Sequence, residues 1–159
     1  MQHTLLSVDD FVTRRAHFID QMPNNSITLI SAASEVTRSN DTDYGFCQNK
    51  NFYYLTGFNE PDAILLLIKA QEANSQRQCV LFCREKNPLE EVWHGRRVGP
   101  QKAMADYGFE QCFVLNEVNT LIPQYLNNKS QLLFCHGDVP AFDKQIFSWL
   151  DTVKAGNRQ

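Results

Sequence analysis

Residues 63–68 read Ala-Ile-Leu-Leu-Leu-Ile, six apolar positions in a row. A strand with one wet face alternates apolar and polar residues, so an unbroken apolar run must be covered on both faces. This one reads as a central strand with protein layers above and below it. A second such run, residues 79–83 (CVLFC), follows a polar stretch at 71–77, and a hairpin is the simplest link between them. Two doubly covered strands side by side commit the chain to a layered architecture with helices on both faces.

The covering helices are legible from spacing. Ser7 suits an N-cap, with Asp10 three residues on in the capping-box position. Behind it Val8, Phe11, Val12, Phe18, Ile19 and Met22 recur at helical intervals until Pro23 ends the run. Residues 100–107 and 118–126 read as further helices. Pro140 suits a helical first turn, Phe142, Ile146, Trp149, Leu150 and Val153 form an apolar stripe behind it, and Gly156 is placed to close it.

The remaining strands fall at 27–31, at 52–56 with Gly57 as the stop, at 111–115 and at 132–135. On the strand reading of 52–56, Tyr53 and Tyr54 face opposite ways, with one in the core. Residues 33–50 (ASEVTRSNDTDYGFCQNK) lack a period and read as a functional loop, or a loop between short strands. Asn59-Glu60-Pro61-Asp62 is a turn. The order of helix, strand block, then alternating helix and strand predicts an α/β fold. It is a single three-layer domain, with a mixed sheet of about six strands flanked by helices.

Composition removes several function classes. The 159 residues carry a net charge of −3 with the charges dispersed, so nothing favours nucleic acid. The longest aliphatic run is six residues, against about 20 for a membrane span. The first eleven residues lack the cationic start and apolar run of a signal peptide. Cys47, Cys79, Cys83, Cys112 and Cys135 are odd in number and scattered, which fits a reducing cytoplasm better than a disulfide framework.

No hydrolytic metal centre can be assembled from these residues. There is no H-E-x-x-H, no Walker loop and no Gly-rich dinucleotide fingerprint. Cys79 and Cys83, four apart on a strand, lie ~13 Å from each other. A zinc–sulfur bond is about 2.3 Å, so they cannot share an ion, and they read as core thiols. None of His3, His17, His94 and His136 has a second ligand at chelating spacing.

Two segments carry a more specific signal. Residues 35–67 contain Gln48 and Asn49, then Phe52-Tyr53-Tyr54-Leu55-Thr56-Gly57-Phe58, then Glu60-Pro61 and Ala63. Residues 84–99 contain Glu91, Trp93, Gly95, Arg96 and Gly99. In these the chain resembles the N-terminal domain of the Xaa-Pro aminopeptidases (aminopeptidase P), which group with prolidase and creatinase. The resemblance extends from Phe11, Arg14 and Arg15 to residues 156–158. Cys47 stands where the family often has Arg, and Lys50 where Ser is common.

The resemblance implies a creatinase/prolidase N-terminal domain of ribonuclease H-like type over residues 1–159, without catalytic residues of its own. Full chains of the family carry a C-terminal pita-bread domain with two divalent metal ions, commonly manganese. There a metal-bound hydroxide attacks the peptide bond before proline. This chain then holds no cofactor and is inactive alone. Its implied partners are its own catalytic domain, neighbouring subunits and a peptide with proline at the second position. Two alternatives stay open: a stand-alone binding module that lost the catalytic half, and the N-terminal domain of a prolidase-type dipeptidase.

By the same resemblance Trp93, Asp41, Arg158, Arg96 and Arg97 lie near the active-site mouth or a subunit contact. Trp93 offers a rigid apolar plate for a proline ring or a partner, or else packs a hairpin core. Arg96 and Arg97 can pair carboxylates, or form a solvated pair on a loop. Asp41 can bind a cation, or shape a turn in Ser39-Asn40-Asp41-Thr42. Arg158 can form an interdomain ion pair, or lie loose at the terminus.

Overall fold

The computed structural model describes residues 6–35, 37–38, 42–43, 46–72 and 77–157. Helix α1 spans Val8–Gln21, and the Ser7 N–H donates to the Asp10 carboxylate at 2.8 Å, as the capping box requires. Strand β1 (Ser26–Ser31) follows, then a small ribbon of β2 (Thr37–Arg38) and β3 (Thr42–Asp43) inside the polar segment. Helix α2 spans Lys50–Thr56, and the hairpin of β4 (Ile64–Lys69) and β5 (Gln78–Cys83) comes next. Helices α3 (Pro88–His94) and α4 (Pro100–Tyr107) lead to β6 (Gln111–Val114). A 3-10 turn precedes α5 (Val118–Leu126), then β7 (Gln131–Leu133) and α6 (Pro140–Asn157).

The main sheet has five strands in the order β6-β5-β4-β1-β7. The β1–β4 and β4–β5 pairs are antiparallel, while β1–β7 and β5–β6 are parallel. The apolar run of β4 is therefore central, and its alternate side chains serve different layers. Leu65 and Leu67 pack with α1, α2 and α4 through Ile19, Phe52, Leu55 and Ala103. Ile64, Leu66 and Ile68 pack with α5 and α6 through Ile122, Phe142, Ile146 and Trp149. This is the three-layer α/β arrangement with a mixed sheet.

Residues 52–56 are helical, which removes the expected sixth strand of the sheet. The Asn49 side chain accepts the Phe52 N–H at 3.0 Å, capping the start. Gly57 closes the helix at φ +67°, where a side chain is strained. Phe52, Leu55 and Thr56 turn inward, at the i, i+3, i+4 spacing of a helix. Tyr53 and Tyr54 are consequently both exposed, and neither enters the core. The capping Asn outweighs the β propensity of a short aromatic run.

Other departures are local. Only Phe11, Arg15 and Ile19 of α1 are buried, while Val8, Val12 and Phe18 of the expected stripe are exposed. Helix α6 runs through Gly156 to Asn157. One glycine costs about 1 kcal/mol against alanine in a helix, too little to stop a helix anchored by Phe142, Ile146 and Trp149. Strand β7 ends at Leu133, short of Cys135.

Arg15 joins the first layer together. It is fully buried on α1 and has no carboxylate at salt-bridge distance among the described residues. Its guanidinium donates to the carbonyls of Leu55 (2.9 Å) and Tyr107 (2.8 Å), at the C-terminal ends of α2 and α4. Those carbonyls lack helical partners and carry the negative end of each helix dipole. A fixed planar donor between two helix ends satisfies both.

Candidate functional site

The chain between β5 and α4 forms an arm tied down at its base and exposed at its tip. Glu60, buried in the turn before β4, provides the base. One carboxylate oxygen lies 3.3 Å from the Arg84 guanidinium, where the arm departs, and the other accepts the Val98 N–H at 2.7 Å, where it returns. Gln48 steadies Glu60 from behind. Its side-chain N–H2 donates to the carbonyls of Phe58 (3.1 Å) and Glu60 (2.8 Å), and its oxygen accepts the N–H of Ala33 (2.8 Å) and Asn49 (2.9 Å).

A second set of bonds holds the arm closed higher up. The Glu91 carboxylate accepts the Arg97 N–H at 2.6 Å and pairs with the Lys86 ammonium at 2.6 Å. The same ammonium donates to the Arg97 carbonyl at 2.7 Å. Arg97 also pairs with Glu90 at 2.9 Å. The Arg97 N–H, and then Lys86, hold the Glu91 carboxyl below the usual carboxylate range, since both favour its charged form.

Helix α3 crosses the tip because its start is well specified. The Asn87 side chain accepts from the N–H groups of Leu89 (3.2 Å) and Glu90 (3.3 Å), and Pro88 sits at the first helical turn. Gly95 ends it at φ +88°. The outward face carries Leu89, Val92 and Trp93, at 81%, 75% and 83% exposure. Three large apolar side chains on one short, tethered helix form the kind of patch that marks an interaction surface.

The structure thus places Trp93 on an exposed tip and excludes it from any hairpin core. Arg96 and Arg97 share the arm, but they do not form the solvated pair considered above. Arg96 is exposed, while the Arg97 guanidinium is largely covered and paired with Glu90. Asp41 and Arg158 lie outside the described residues. Glu60, Gln48 and Lys86 give the site its geometry and carried no sequence signal of this role. Glu60 lies 24 residues from Arg84 and 38 from Val98, and only the fold brings them together.

Among the described residues no group of three or more His, Cys, Asp and Glu could hold a metal ion. Cys79 and Cys83 are separate buried thiols in β5. Among the described residues no helix is long and apolar enough to cross a membrane.

The family model described as "Aminopeptidase P, N-terminal domain" matches residues 11–134. The chain belongs to this family. It is 37% identical over 154 residues to the Xaa-Pro aminopeptidase of Escherichia coli K12, covering 97% of this chain and 34% of that protein. Identity to the Xaa-Pro aminopeptidase of Haemophilus influenzae is 36%, over 93% of this chain and 32% of the relative. Zinc-substituted E. coli aminopeptidase P in complex with product superposes at a TM-score of 0.92 with 36% identity, covering 98% of this chain and 35% of that one. This aminopeptidase P N-terminal domain therefore spans about a third of the length of the relatives it matches. The matched region contains the whole arm, from Arg84 to Gly99.

Proposed function

We propose that this chain is the non-catalytic N-terminal domain of a metal-dependent Xaa-Pro aminopeptidase and is inactive alone. The whole enzyme would release the residue that precedes proline at the N-terminus of a peptide. Its two divalent metals, manganese by family habit, would be held by the catalytic part that follows and would supply the nucleophile. The domain's own work is to shape access to that centre and to make subunit contacts.

The observation that carries this reading is the arm: Trp93 projects from a helix whose base is fixed by Glu60 and whose stem is closed by Glu91. An exopeptidase must admit a free chain end and exclude internal chain. A rigid aromatic tip pressed against a catalytic domain or a neighbouring subunit can impose that limit by shape. Asp41, Arg158 and Arg96 are assigned to the same rim. The five unpaired cysteines suit a reducing cytoplasm.

The test uses the full reading frame of the parent gene. The purified full-length protein with manganese should release the first residue of an Xaa-Pro peptide, and residues 1–159 alone should not. Turnover by the short chain that survives repurification would overturn the non-catalytic assignment. A full-length protein that cleaves free Xaa-Pro dipeptides only would move the reading to a prolidase-type dipeptidase.

A further inference from the structure

The chain as a whole is acidic, with a net charge of −3, yet cations gather in one cleft between the arm and the start of α4. Lys86, Arg96, Arg97 and Lys102 line it together with a single carboxylate, Glu91, around a volume of about 620 Å³. Ion pairs settle half of that charge. Glu91 offsets Lys86 at 2.6 Å, and Glu90 offsets Arg97 at 2.9 Å. Arg96 and Lys102 have neither a carboxylate partner nor a hydrogen-bond acceptor for their side chains among the described residues. The cleft is left with a surplus of two positive charges. Like charges on one concave surface raise its potential and concentrate anions there.

Exposed cations are ordinarily just solvated, but these stand on a fixed frame. The Arg97 N–H is held by Glu91 at 2.6 Å, and the Arg97 carbonyl accepts from the Lys86 ammonium at 2.7 Å. The Arg97 Nε–H is buried and has no acceptor. Gly99 packs on Lys86, since a Cβ added there would come within 3.1 Å of the Lys86 Cβ. The stem of the arm and the first turn of α4 are thus in contact, and little ordering remains to be done when a ligand arrives.

Helix α4 adds to the field. Lys102 belongs to its first turn, and Gly99 gives that turn no side-chain cap. The N-terminal end of a helix carries partial positive charge. The missing charge is two, and it must be shared between a planar fork and a point charge. A guanidinium takes two oxygens of one group side by side, and an ammonium takes a third from another direction. A tetrahedral dianion offers that set of oxygens, whereas a single carboxylate has one negative charge to give.

We propose that this cleft binds a phosphate dianion between the Arg96 guanidinium and the Lys102 ammonium, with Lys86 and Arg97 as its fixed floor. The group can be the free ion or the phosphate of a small organic molecule, for which Pro88 and Val92 supply an apolar wall.

Calorimetric titration of the full-length protein tests this, with inorganic phosphate and separately with phenyl phosphate, at a constant ionic strength of about 0.15 M. One saturable site per chain is expected. Arg96→Gln and Lys102→Gln change exposed side chains, should keep the parent's melting temperature, and should each weaken binding roughly tenfold. Lys144→Gln, at an exposed position on α6 in the opposite layer, should change nothing. Acetate should bind more weakly than phosphate by about tenfold or more. Tighter binding of phenyl phosphate would make an organic phosphate the ligand, and equal or weaker binding would make it the free ion. No saturation by about 10 mM would overturn the proposal, as would equal affinity for acetate, parent-like binding by both cleft variants, or an equal loss in Lys144→Gln. None of these readouts needs turnover, so they stand apart from the peptidase reading.

Discussion

The guanidinium carbon of Arg15 lies 4.3 Å from the centroid of the Phe109 ring, at a site where the arginine is 1% exposed. Burial lowers its affinity for a proton, and Cys79 and Glu110 nearby act the other way. Arg15→Met keeps the volume and removes the charge, but leaves the carbonyls of Leu55 and Tyr107 without donors. The expected loss is about 3 kcal/mol, read from urea unfolding. Arg15→Lys should recover little of it, because an ammonium cannot span both helix ends as the planar fork does. A lysine variant as stable as the parent would contradict the bridging role.

Buried thiols make stability fall in alkali. Burial first pushes Cys79 up to about 11, and Cys83 and Cys112 up to about 12, from an ordinary value of 9.0. The folded state therefore keeps these protons after the unfolded chain has released them. The contribution is complete below pH 9 and is lost as pH rises through 11 to 12. Urea midpoints measured from pH 8 upward should fall beyond pH 9, and more shallowly in Cys112→Ala. At neutral pH a thiol reagent should modify Cys47 and Cys135 quickly and the other three only on unfolding.

Gly57→Ala meets two obstacles. The position has φ +67°, and an added Cβ would stand 2.7 Å from the Phe11 ring. Backbone strain of ~1–2 kcal/mol and overpacking of ~1–3 kcal/mol should appear together in thermal unfolding. Adding Phe11→Leu should relieve the second part only. If the double variant regains full stability, backbone strain is not a factor.

The aromatic tip can be separated from the core by spectroscopy. Trp149 is buried and donates its indole N–H to Asn119 at 2.8 Å, whereas Trp93 is open to water. In a Trp149→Phe background of the short chain, iodide should quench nearly all emission. In the full-length enzyme that quenching should fall if the tip meets another surface. Trp93→Ala should leave stability within about 0.5 kcal/mol and lower kcat/KM for an Xaa-Pro peptide about tenfold, or 1.4 kcal/mol. Unchanged kcat/KM would remove Trp93 from the rim.

Helices α1, α4, α5 and α6 and the central hairpin were legible because each has a period longer than its ambiguities, or a signal such as Ser7 or Pro140. Residues 52–56 were misread because five residues hold little more than one helical turn. The deciding residue was Asn49, outside the run. Helix α3 was missed for the opposite reason: its apolar face, Leu89, Val92 and Trp93, is exposed among the described residues and left no core pattern. Trp93 could be named from its neighbours in sequence. Glu60 could be named as part of the Glu60-Pro61 mark, but not its role, which depends on Arg84 and Val98 arriving from other parts of the chain.

The pairing of β1 with β7 has a consequence during synthesis. Asn25, just before β1, bonds to Ser130, just before β7, across 105 residues. Strand β1 must wait for β7, made about a hundred residues later, before its second side is satisfied. Until then its open backbone is available to the wrong partner, and so is the apolar stripe of β4. Slow elongation through residues 70–130 should therefore raise the chance of misassembly, and a chaperone that shields Ile27 and Leu29 would act at that interval.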